Sequence, residues 1–184
     1  MSATSMLEAG QPQLLTAEEF YALHRDHCEL VRGEVVDLMP PGFRHGRLAV
    51  KLATAINTHA KQHRLGATVV ESGFVLHRGP DTVRGPDVAF VCQERVVDTE
   101  KFYEGAPDLA VEVLSPDDRI GQVNARLRDY FAAGVRVVWL VDPDQQTVAV
   151  HDKEHARTLR APESVDGGDI LPGFALPIAS LFAP

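Results

Sequence analysis

The sequence predicts a mixed α+β fold. Three observations carry this reading: stretches with helical periodicity begin near residues 16, 43 and 119, short β-branched runs bounded by Gly, Pro and Asp lie between them, and the two kinds do not strictly alternate. The order is helix, β hairpin, helix, several strands, helix, strands. At 184 residues, with 45% hydrophobic and 24% charged residues, the composition suits one globular domain over 15–184 behind a flexible leader, 1–14.

The first helix is announced by a capping box, Thr16 with Glu19, and by Leu15 and Phe20 at hydrophobic-staple positions, and it should run to about His24. CELVRGEVVDLM then reads as a hairpin around Arg32-Gly33, closed by Pro40-Pro41-Gly42. From Phe43 to about Leu65, Leu48, Leu52, Ile56 and Ala60 recur at i, i+4 and predict a helix. A strand pair follows, ATVVESGFVLH and DVAFVC, around the turn-rich RGPDTVRGP. DLAVEVL is a further strand, and Ser115-Pro116-Asp117 leads into a helix from Arg119 to Ala133. Its expected inner face is Ile120, Val123, Leu127, Tyr130 and Phe131, and Gly134 stops it. VRVVWLVD and QTVAVHD are strands around Pro143-Asp144, and the tail is expected to hold one short final strand.

Charge sets limits on function. There are 18 Lys+Arg against 26 Asp+Glu, a formal net charge of −8, which argues against a protein whose main work is coating a polyanion. The charge is unevenly spread, however. No acid occurs between Asp37 and Glu71, an interval holding Arg44, Arg47, Lys51, Lys61 and Arg64, so this stretch carries +5 and leaves −13 for the rest. On a helical wheel Arg44, Arg47, Lys51 and Lys61 share a face with Thr54 and Thr58, apart from the apolar stripe. Such a ridge is either a phosphate-binding surface or a solvated face. His59 and His63 have zinc-helix spacing but lack the accompanying Glu and a third ligand. Cys28 and Cys92 form no metal or disulfide pattern, which suits reduced thiols. With no basic-then-apolar start and no long apolar run, a cytoplasmic, unanchored protein is expected.

The anomaly is Glu112, between Val111 and Val113 in LAVEVL. A carboxylate in so apolar a strand costs several kcal/mol, roughly, unless it is paired, neutralised or bound to a cation. Asp87 holds a related position before VAFV. By period two Asp87 lines up with Ala89 and Val91, and Glu112 with Ala110 and Leu114, so neighbouring strands would aim both acids at one spot. The small alanines leave room for a hydrated hard cation such as Mg²⁺. The alternative is structural: a buried salt bridge from Arg126 or Arg119, with Asp87 capping a turn.

The succession ELVRGE from Glu29, RHG from Arg44, RGPDVAFV from Arg84, DLAVEVLSPDDR from Asp108, LRDYFAAGV from Leu127 and WLVDP from Trp139 resembles the Uma-type family of restriction endonucleases, within the PD-(D/E)XK nuclease superfamily. The resemblance runs from about residue 15 to the C-terminus. It implies a restriction-endonuclease-like core with a mixed central sheet flanked by helices, and Mg²⁺-dependent phosphodiester hydrolysis in nucleic acid, DNA first, with Mn²⁺ as a substitute ion. Asp87 takes the place of the motif Asp, Glu112 that of the second acid, and the Val113 carbonyl that of a further metal ligand. Leu114 stands where the superfamily has Lys. In this family that Lys commonly comes from the next helix, at the position of Arg126. The resemblance also allows a homodimer, since many nucleases of the superfamily pair two sites.

Arg126 keeps the positive charge and can grip a phosphate bidentately, but it cannot readily release a proton, so a general-base role is lost. On the wheel Arg119 lies with Arg126 and could border the site with it. Glu29 could complete a metal shell through water, or could be an exposed strand-end acid. His45 could face the cleft or be packed. The reading is therefore a metal-dependent endonuclease built on Asp87, Glu112 and Arg126. Its competitor is a nuclease-fold protein with weak or no catalysis that binds nucleic acid or a partner.

Overall fold

In the computed structural model, which describes residues 14–183, the capping box forms as predicted. The Thr16 hydroxyl accepts from the Glu19 N–H and the Glu19 carboxylate accepts from the Thr16 N–H, starting α1 (Ala17–Ala22), which ends two residues before the expected His24. The leader expected over 1–14 lies, apart from Leu14, outside the described residues. β1 (Cys28–Val31) and β2 (Glu34–Asp37) form the expected hairpin. Arg32 and Gly33 both have positive φ, +52° and +81°, the turn whose twist suits a two-residue hairpin. A Cβ on Gly33 would stand 2.7 Å from that of Leu14. Gly33→Ala is therefore expected to cost about 1–3 kcal/mol by urea denaturation, from backbone strain and crowding together.

α2 (Phe43–His63) buries Leu48, Leu52, Ile56 and Ala60, the stripe read from the sequence. After β3 (Gly66–Val70) the structure departs from expectation. The run 67–77 is not one strand: it breaks at Glu71, φ +48°, and resumes as β4 (Phe74–His77) in a different sheet. Gly73 permits the crossing, because the Phe102 ring occupies the space a side chain there would need. The segment read as turn-rich also contains β5 (Thr82–Arg84), too short and too closely flanked by Gly and Pro to show a period. Next come β6 (Val88–Cys92), β7 (Tyr103–Glu104) and β8 (Leu109–Val113).

α3 (Ile120–Ala133) ends at Gly134 as predicted, but Ile120 is 82% exposed and does not join the inner face. Its neighbours Pro116, Asp117, Arg119, Gly121 and Gln122 are exposed as well, so the first turn stands clear of the core. β9 (Val137–Asp142), β10 (Thr147–His151) and β11 (Ala156–Leu159) follow. The tail holds more than one strand: β12 (Ser164–Gly167) and β13 (Leu171–Pro177) pair, and α4 (Ile178–Phe182) closes it.

The result is an α+β fold. A six-stranded mixed sheet has the order β11-β10-β9-β8-β6-β3, with β8 and β9 parallel, and a five-stranded sheet has the order β2-β1-β5-β4-β7. Alternation along β6 and β8 divides the core. Val88, Phe90, Leu109, Val111 and Val113 pack toward α2, β13 and α4, while Ala89, Val91 and Ala110 pack toward Tyr130 of α3 and Phe74 of β4. Among the described residues no helix is long and apolar enough to cross a membrane.

Candidate functional site

β6 and β8 are antiparallel neighbours, with Val88 opposite Val111 and Ala89 opposite Ala110. One step further along the same register sets Asp87 opposite Glu112, the adjacency that the period-two pattern required. Both acids lie on the face of Ala89 and Ala110, and α3 crosses that face.

Glu112 is buried and has two partners from α3. Arg126 donates from Nη1 to Oε2 at 3.0 Å, and the Tyr130 hydroxyl donates to Oε1. Residues 126 and 130 are one helical turn apart, so one face of α3 delivers both. Burial pushes the Glu112 carboxyl up to about 8; Arg126 opposes this without cancelling it, and Asp87 and Glu29 add to the rise. Burial and the neighbouring Glu112 also hold the Tyr130 hydroxyl well above its ordinary value, so it remains a proton donor. Tyr130 was legible in the sequence only as a core residue.

Asp87 is fixed by backbone. The Val113 N–H donates to Asp87 Oδ2 at 2.7 Å, and Nε2 of His45, in the first turn of α2, lies 3.2 Å from the same oxygen. Because the N–H and C=O of a strand residue point to the same side, the Val113 carbonyl also faces the Asp87 side. The hydrogen bond to Asp87 raises the His45 imidazole above its ordinary value, against the effect of burial, and the Val113 backbone contributes. His45 is therefore held against Asp87, with its side chain largely covered.

Two carboxylates and a backbone carbonyl are hard oxygen donors, the type that Mg²⁺ or Mn²⁺ takes together with several waters. Among the described residues no three His, Cys, Asp or Glu side chains gather closely enough to enclose an ion by themselves. A cation here would have to draw on the Val113 carbonyl and on solvent.

The remaining expectations separate. Glu29 is a buried residue, not an exposed strand end. One oxygen accepts from Arg84 Nη1 at 2.6 Å, the other from the Gly85 N–H at 3.1 Å, and Arg126 Nη2 stands 3.9 Å away. Arg84 also reaches Asp129 of α3 through Nε and Nη2, at 3.1 and 2.6 Å. Neither Arg84 nor Asp129 was singled out from the sequence. No signal in the sequence marked them, because Arg84 sits in a three-residue strand within a turn-rich stretch. Arg119 is exposed at the N-cap of α3 and makes no ion pair with Asp87 or Glu112, so of the two arginines only Arg126 reaches Glu112.

Most of the basic ridge on α2 is engaged inside the molecule. Arg44 pairs with Asp144 at 2.7 Å, Arg47 donates to the Ala183 carbonyl at 3.4 Å, and Lys51 donates to the carbonyls of Leu181 and Ala183. Arg47 and Lys51 thus serve the C-terminal end of α4, where cations are favourable, and Lys61 is exposed. His59 takes the Pro172 carbonyl and packs on Phe174. A groove of about 670 Å³ between α2 and β13, lined by Val50, Thr54, Thr58, Phe174 and Leu176, contains neither Asp87 nor Glu112 nor Arg126.

The family described as "Uma2: Putative restriction endonuclease" matches residues 17–179. The crystal structure of a "putative nuclease" from Anabaena variabilis ATCC 29413 is similar, with a TM-score of 0.80 at 24% identity, over 91% of this chain and 97% of that one. At that identity the likeness establishes the fold. No curated protein matches the chain.

Proposed function

The chain belongs to the family described as "Uma2: Putative restriction endonuclease", and on that premise we propose that it is a metal-dependent endonuclease that hydrolyses phosphodiester bonds in DNA. The observation that carries this reading is the β6–β8 register, which brings Asp87 and Glu112 together under Arg126.

Asp87, Glu112 and the Val113 carbonyl would hold Mg²⁺ or Mn²⁺. When bound, such an ion supplies charge neutralisation at the phosphate and a more acidic water. The protein's own groups do the rest. The Val113 N–H fixes the rotamer of Asp87, and the Tyr130 hydroxyl steadies Glu112. The Arg126 guanidinium would stabilise the growing charge on a phosphate oxygen, but it takes no proton from the attacking water. Arg44, Arg47, Lys51 and Lys61 would contribute to holding the phosphate backbone only to the extent that they leave their internal partners.

A second reading is supported by the two donors on Glu112. Arg126 and Tyr130 occupy both of its oxygens, as they would in a nuclease-fold protein that binds nucleic acid and cuts slowly or not at all.

The two readings are separated by cleavage assays on single-stranded, duplex and branched DNA, with Mg²⁺ or Mn²⁺, for the wild type and Asp87→Ala. Wild-type cleavage that falls about a thousandfold in the variant is expected. Equal backgrounds in both overturn the nuclease proposal. Calorimetric Mn²⁺ binding that Asp87→Ala abolishes, without cleavage by the wild type, selects the second reading.

A further inference from the structure

We infer that Arg84 is a positioning residue for Arg126: by satisfying Glu29 it leaves the Arg126 guanidinium on Glu112. The link to catalysis rests on the nuclease reading, whereas the link to geometry does not.

Arg126 has two buried carboxylates within reach, Glu112 at 3.0 Å and Glu29 at 3.9 Å. Their side chains are about equally buried, so solvent screening does not choose between them. What differs is the supply of other donors. Both oxygens of Glu29 are already taken, one by Arg84 and one by the Gly85 N–H. Glu112 has only the neutral Tyr130 hydroxyl besides Arg126 among the described residues. The cation that Glu112 can draw on is therefore the one that Glu29 does not need.

Arg84 is well placed to enforce this. It sits on β5 of the smaller sheet, pairs with β1 through Glu29, and grips α3 through Asp129, three residues beyond Arg126. The charges alternate along one path, Asp129, Arg84, Glu29, Arg126, Glu112, which runs from α3 to the smaller sheet, back to α3 and on to the larger sheet. Removing Arg84 leaves Glu29 as a buried carboxylate without its cation, a strongly unfavourable state. The nearest available cation is Arg126, and moving it to Glu29 strips it from Glu112.

The test is a pair of variants, Arg84→Met and Arg84→Met/Glu29→Gln, each studied by crystallography and by steady-state DNA cleavage. In Arg84→Met, Arg126 is expected within hydrogen-bond distance of Glu29 and off Glu112, with kcat down about a hundredfold and KM little changed. In the double variant the competing charge is gone, so Arg126 is expected back on Glu112 and most of the lost kcat restored, although Arg84 is still missing. A merely structural role predicts the reverse, a double variant no better than the single. Arg126 remaining on Glu112 in Arg84→Met overturns the inference. Should Arg84→Met not fold, the double variant decides: a folded protein with Arg126 on Glu112 supports the inference, and an unfolded or displaced one overturns it. If the wild type proves not to cleave DNA, the position of Arg126 in the two structures still decides between support and refutation, so failure of the nuclease reading and failure of this inference are told apart.

Discussion

Arg126→Met is expected to lose about 1 kcal/mol of stability at pH 8, and more above it as Glu112 ionises in the wild type, and to slow cleavage roughly a hundredfold to a thousandfold. Both losses have one origin. Among the described residues Arg126 is the only cation in direct contact with Glu112, and the methionine occupies similar volume without a charge, so packing is retained while a buried carboxylate is left with one neutral donor. The stability loss should shrink toward pH 5, because Glu112 can then take up a proton and needs no counter-charge. That pH dependence separates the charge effect from a packing defect, which would cost the same at both ends. Arg126→Lys retains the charge and offers a side chain that can exchange a proton. It is expected to stay close to wild-type stability and to cleave about tenfold faster, with a rate that climbs toward alkaline pH. Urea denaturation at pH 5 and pH 8, beside single-turnover cleavage, checks both variants. An Arg126→Met protein as stable as the wild type at pH 8 would refute the assignment.

The acids at the site were legible because they break a pattern. Glu112 interrupts a strand that is otherwise apolar on both faces, and the period of two linked it to Asp87 before any pairing was known. The cation partner was legible through the family resemblance, which singled out Arg126; from the residues alone Arg126 and Arg119 both stood as candidates. What the wheel cannot supply is depth. It grouped Arg119 with Arg126, yet the first turn of α3 stands clear of the core, so only the residue two turns further in reaches Glu112. For the same reason Ile120 was misassigned to the inner face. Arg84 and Asp129 escaped because their significance is a long-range pairing between a three-residue strand and a helix, 45 residues apart, and no local period reports it. The basic ridge on α2 was read correctly as segregated from the core, but the carbonyls at the end of α4 that engage Lys51 and Arg47 lie about 130 residues away in sequence.

The metal-free protein is expected to become less stable as pH rises from 5.5 to 8.5, and added Mg²⁺ should reverse the trend. The sign follows from proton uptake. Glu112 has a folded value of about 8 against an ordinary 4.5, so between these limits the folded chain holds a proton that the unfolded chain has released. Stability falls wherever the unfolded state binds fewer protons, and for a displacement of this size the loss is on the order of 4 kcal/mol by the alkaline end. His45, raised by Asp87, acts in the same direction: its contribution is complete below the ordinary imidazole value and disappears as pH climbs through the folded one. Half-buried His151, held below its ordinary imidazole value by burial, acts oppositely within this window, whereas surface acids held low by arginines, such as Asp166 beside Arg157, act oppositely only below their ordinary value of 3.8. A divalent cation bound by Asp87 and Glu112 favours the ionised carboxylates and competes with their protons, so its stabilisation must grow with pH. Unfolding free energies at pH 5.5, 7 and 8.5, with chelator or with Mg²⁺, should therefore diverge steadily. Curves that stay parallel would mean that Mg²⁺ does not act through Glu112, and a metal-free curve that rises with pH would mean that Glu112 is ionised in the folded protein at neutral pH.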